Sequence, residues 1–135
     1  MFETLLNASK TLLDATSALS QVQQDRRARL ADLFEEVGDV LSEIVERKKK
    51  NEKSIDLCAE LGVFAKMLPQ VAENCFPEDK VEDLATALQN AQQARAMIYY
   101  TKYPHNVDDE YDKYVIQLEQ AAGTFRGLAK VLRAQ

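Results

Sequence analysis

The side chains that carry most protein chemistry are scarce in this sequence. His105 is its only histidine and stands in Tyr103-Pro104-His105-Asn106, a stretch without helical periodicity. A di-iron centre built from two facing Glu-x-x-His motifs is therefore impossible within one chain. A Ser/His or Cys/His nucleophile would have to recruit this one loop residue, and the plainer reading, an exposed loop histidine, is the one we adopt. Cys58 and Cys75 lie 17 positions apart, with no CxxC spacing and no histidine nearby. They spell neither a zinc site nor a redox pair, and buried free thiols are the expectation. Asp108, Asp109, Glu110 and Asp112 lack the spacing and the turn glycine of a calcium loop. They read instead as the acidic start of a helix, where the macrodipole favours them. No glycine-rich phosphate loop occurs. The expectation is a protein that is not an enzyme and has no catalytic residues, cofactor, metal or small-molecule substrate.

Two other groups of residues suit binding rather than catalysis. All five tyrosines fall between Tyr99 and Tyr114, around one break in helical pattern. Tyrosine is amphipathic and frequent at interfaces, so Tyr99, Tyr100, Tyr103 and Tyr111 form a candidate partner surface; the alternative is that they pack one end of a bundle with wet hydroxyls. Arg47, Lys48, Lys49, Lys50 and Lys53 form a candidate basic surface that could meet anionic lipid. Glu46 and Glu52 dilute it, so a solvated helix terminus is the plainer reading.

The elements that position these groups are helices. The chain has 135 residues, four glycines and three prolines, with long runs of Ala, Leu, Glu, Gln, Lys and Arg between them. That length suits one domain, here residues 1–135, and that composition an all-α fold. Between Phe2 and Gln24 only Glu3, Lys10 and Asp14 are charged, although 29% of all residues are. Leu5, Leu6, Leu12, Leu13 and Leu19 recur there at helical spacing, backed by uncharged Thr, Ser, Asn and Gln. The stripe lapses around Gln23 to Arg27, where we expect a break or sharp bend, with Ser20 or Asp25 as a cap for the next helix.

A second helix is expected over about 26–50, with Leu30, Leu33, Phe34, Val37, Val40, Leu41, Ile44 and Val45 inward and Asn51 as its stop. A third, capped by Ser54, runs to about Asn74 with Ile55, Leu57, Cys58, Leu61, Phe64, Ala65, Leu68, Val71 and Ala72 inward and a kink at Pro69. Pro77 introduces a fourth, with Val81, Leu84, Ala85, Leu88, Ala91, Ala94 or Arg95, and Ile98 inward. The last, about 108–134, turns Val115, Leu118, Ala122, Phe125, Leu128, Ala129 and Leu132 to the core. Short connections make an antiparallel up-and-down bundle of four or five helices, the count depending on the break near Asp25.

A formal charge of -5 and a pI near 4.9 disfavour nucleic acid, whose phosphates need a basic face. Residues 1–24 lack the basic start and unbroken apolar core of a signal peptide, and no apolar run reaches the roughly 20 residues that span a bilayer. A cytoplasmic location is expected.

Phe2 to Gln24 followed by Arg26, Arg27 and Arg29 resembles the start of the HeLo and bacterial Bell (HeLo-like) N-terminal bundles and, more remotely, the killer bundle of the necroptosis pseudokinase. The resemblance covers about the first third of the chain. It implies an effector in a bacterial conflict or signalling protein, one that perturbs a membrane through its first helix after a partner domain oligomerises it. Leu5, Leu6, Leu12, Leu13 and Leu19 would then be the membrane-active set, with recruitment to the inner membrane face. This sequence has no glycine before Gly38, unlike many such segments. The competing expectation is an adaptor bundle whose tyrosine-rich tip binds a protein partner. Both readings imply a protein partner or self-association.

Overall fold

The computed structural model describes residues 2–16, 22–93 and 110–134. Among them are five helices and no strand: α1 (Glu3–Asp14), α2 (Gln24–Lys49), α3 (Ile55–Val71), α4 (Glu78–Gln93) and α5 (Glu110–Ala134). The fold is an all-α bundle. α2 packs along α5, α3 along α4, and α2 against α3, while α1 lies against both α4 and α5. These contacts close a ring in the order α1, α5, α2, α3, α4, so α1 fills the gap between α4 and α5.

The inward residues expected of α2, α4 and α5 are buried, save Ala85, which is half-buried, and Ala94, Arg95 and Ile98, which lie outside the described residues. Phe34 and Phe125 meet at the centre of the α2–α5 seam with ring centroids 5.6 Å apart, a tilted pairing that suits the ring quadrupoles. Gly38 permits the close approach there: a Cβ on it would lie 3.0 Å from Arg126 Cγ and 3.1 Å from the Ala122 carbonyl oxygen.

Helix ends follow local chemistry. α2 stops as Asn51 takes φ 56°, the left-handed conformation. Asn51 N–H then donates to Lys48 O at 2.9 Å and Glu52 N–H to Arg47 O at 2.7 Å, the paired bonds of a Schellman stop. Ser54 occupies the position before α3, but its hydroxyl makes no capping hydrogen bond. Pro69 lies in the last turn of α3, which ends at Val71, earlier than Asn74; Asn74 itself has φ 64° in the following turn. Pro77 sits just before α4, its carbonyl accepting from Lys80 and Val81.

The first helix is shorter than its leucine spacing suggests. α1 ends at Asp14; Ala15 N–H closes a tight bond to Leu12 O, and the Thr16 hydroxyl donates to Leu13 O at 3.0 Å. Thr and Ser side chains compete for backbone carbonyls in this way, and the segment from Thr16 onward is rich in them. A boundary does precede Arg26, yet Asp25 lies in the first turn of α2 and does not cap it; Gln23 holds the cap position without a side-chain bond.

Candidate functional site

Phe2, Leu5, Leu6 and Leu12 are buried in the common core, and Leu13 is partly buried against it. Leu19 lies outside the described residues. The leucine row of α1 is thus packed inside the ring, while Thr4, Asn7 and Thr11 face outward and line a shallow groove of about 340 Å³ against Lys80, Asp83 and Thr86 of α4.

The basic surface expected at the end of α2 is not one surface. Lys48 is only 3% exposed, so it is not on the surface at all, and burial lowers its pKa. Helical periodicity explains the correction, because Lys48 follows Leu41, Ile44 and Val45 on the inward face. Lys49 pairs with Glu119 of α5 at 2.7 Å. Arg47 binds Asp56 at 2.7 Å and Glu43 at 3.4 Å and donates to Lys53 O, tying down the α2–α3 connection. Its guanidinium holds the Asp56 carboxyl below the ordinary carboxylate range. Lys50 and Lys53 are exposed.

Tyr99, Tyr100 and Tyr103 lie outside the described residues, as does His105; Tyr111 falls in the first turn of α5, its side chain outside the description. Cys58 and Cys75 are buried free thiols, and burial pushes the Cys75 thiol up. Among the described residues no group of three or more His, Cys, Asp or Glu could hold a metal ion.

What the structure brings together lies on α3 and α4. Among the described residues four large apolar side chains stand exposed, and three of them are on α3: Ile55 at 48%, Val63 at 54% and Met67 at 43%. With exposed Ala59 they recur every four residues, a row about 18 Å long. Periodicity alone places Ile55 inward and passes over Val63 and Met67. The signal was present, because α3 is apolar nearly all round, and such a helix has more greasy surface than one core can cover. Single exposed apolar residues are ordinary, whereas a row of them marks a contact surface.

Elsewhere the edges of α3 and α4 part to form an open groove of about 740 Å³, which no residue of this row lines. Ala65, Ala72, Phe76 and Val81, themselves largely buried, form its floor with half-buried Ala85, and exposed Glu73, Glu78, Glu82 and Lys66 line it as well. Arg26 reaches the backbone carbonyl of Glu73 and so holds the α3–α4 turn against α2. Glu78 and Glu82 lie one turn apart, and none of the three rim carboxylates has an ion-pair partner among the described residues.

No family model, curated protein or solved structure matches the chain. Among the described residues no helix is long and apolar enough to cross a membrane.

Proposed function

We propose that the chain is a non-enzymatic helical-bundle module that acts by contact with another protein, and that the outward side of α3 is the contacting face. The observation that carries this is the row Ile55, Ala59, Val63 and Met67, left exposed on α3 while the other large apolar side chains among the described residues, save Ile116, are at least partly covered. The test is native isolation from the source cells of the wild-type chain and of a Val63→Asp, Met67→Asp double variant. Both positions are exposed, so the melting temperature should hold to within the effect of about 0.5 kcal/mol per site. A partner that is lost with the variant and rebinds the purified wild-type chain supports the reading. Equal recovery by both proteins contradicts it.

A second reading, the membrane effector in a bacterial conflict or signalling protein, has one observation in its favour. α1 is seated in the core at rest, and its outer face mixes uncharged Thr4, Asn7 and Thr11 with charged Glu3, Lys10 and Asp14. Its release is expensive: re-exposing Phe2, Leu5, Leu6 and Leu12 costs roughly 6 to 12 kcal/mol at about 1.5 to 3 each. That rivals the ~5 to 15 kcal/mol stability of a whole domain. At about 18 Å, α1 is also shorter than the ~30 Å hydrocarbon core. If this reading holds, anionic vesicles leak dye after forced dimerisation, in step with hydrogen exchange of α1. Absence of leakage from the dimerised chain excludes it. Leu12→Glu is a poor probe, because Leu12 is fully buried and the substitution would unfold the bundle.

A further inference from the structure

We propose that the α3–α4 groove takes a basic amphipathic helix of a partner protein; this rests on the contact reading above and names the chemistry of what is contacted. Three features select that occupant. The groove runs from the α3–α4 turn at Glu78 to Gln89, about 16 Å at 1.5 Å per residue, which matches three turns of helix. Its lining includes the small side chains Ala65, Ala72 and Ala85, which admit a helix closely, over a floor that includes the largely buried Phe76 and Val81. This is the helix-in-groove mode, in which anchors one turn apart fill an apolar trough.

The third feature is charge. Glu73, Glu78 and Glu82 outnumber Lys66 at the rim and lack ion-pair partners among the described residues. Like charges one helical turn apart repel, and Glu78 and Glu82 on α4 are so placed. Lysine or arginine flanking the apolar face of an incoming helix relieves that repulsion and fixes its register. The same rim repels anionic lipid and nucleic acid, so the groove discriminates against both.

The probe is a fluorescent synthetic helix of about 18 residues, with Leu and Ala on one face and Lys on the other. It is compared with a version carrying Glu for Lys and with a Lys version scrambled to abolish the apolar face. Titration into the full chain is followed by fluorescence anisotropy, and amide shift mapping locates the site. The expected result is saturable binding of the Lys helix alone, with shifts on α3 and α4 around Glu73, Glu82 and Ala85. Glu73→Lys with Glu82→Lys should weaken it about tenfold or more, and raising salt from about 0.05 to 0.3 M should weaken wild-type binding. Ala85→Arg, which fills the half-buried lining without altering the rim carboxylates, should also weaken it; circular dichroism melting checks that each variant folds. Equal binding of the Glu or scrambled helix, shifts elsewhere, or no binding overturns the proposal. If the Val63→Asp, Met67→Asp variant still loses its cellular partner while the Lys helix fails to bind, this inference alone falls and the contact reading stands.

Discussion

Two seams of the bundle are built from similar helices and finished differently. Along α2–α5 the outer edges are closed by ion pairs: Arg126 with Asp39 at 3.1 Å, Arg133 with Asp32 at 2.8 Å and with Glu35 at 2.7 Å, and Lys49 with Glu119. Inside, Phe34 meets Phe125, and Gly38 brings the backbones together. Along α3–α4 no ion pair among the described residues closes the edge, the helices part into a groove, and apolar side chains stand outside. Exposed pairs add little energy singly, so their uneven placement says more about which edge is meant to stay shut. The first seam holds the fold together, and the second is left available.

The largest effect that would sharpen the contrast is truncation of an aromatic ring in each seam. Phe34→Ala should cost about 3 to 5 kcal/mol, because the site is sealed and cannot collapse. Phe76→Ala, at the groove wall, should cost clearly less, since solvent already reaches its surroundings. Urea unfolding of the two variants measures both, and equal losses would erase the distinction.

A smaller pair of substitutions compares the glycines. Replacing a helix-interior glycine by alanine ordinarily gains about 1 kcal/mol. At Gly38 the new methyl meets the Ala122 carbonyl, a backbone atom that cannot swing away, so Gly38→Ala should destabilise by about 1 kcal/mol net. At Gly62 it meets only the end of the flexible Gln92 side chain. Gly62→Ala should therefore be neutral or stabilising. Reversed signs in thermal melts would show that the seams are packed alike.

The smallest effect concerns the clamp on the α2–α3 connection. Arg47 holds Asp56 below its ordinary value of 3.8, so the unfolded chain takes up that proton first as pH falls. The stabilisation is complete above 3.8 and disappears as pH drops through the depressed folded value. The gap in urea midpoint between wild type and Arg47→Gln should be constant at neutral pH and close in acid. A gap independent of pH would show that Asp56 is not the partner that matters.

Much of the fold was legible because α2, α4 and α5 carry one apolar face each, and a 3.6-residue period reports one face well. It reported α1 and α3 less well, for different reasons. In α1 the leucine spacing continues past the point where Thr16 bonds back to Leu13 and the helix ends. In α3 two apolar rows coexist, Leu57, Leu61, Phe64 and Leu68 inside and Ile55, Ala59, Val63 and Met67 outside. Periodicity alone does not say which row the core will take. Lys48 shows the converse, a charged residue carried inward by its place on the helix. The groove was not legible, because it depends on how far α3 and α4 part, which is set by packing between distant segments.

The most direct test of the outward α3 face is site-specific photo-cross-linking in the source cells, with the photoreactive residue at Val63 on α3 or at Glu36 on the outer face of α2, both exposed. A discrete adduct from Val63, absent from Glu36 and abolished by Met67→Asp, is the predicted result. No adduct from Val63, or the same adducts from both positions, would contradict the account.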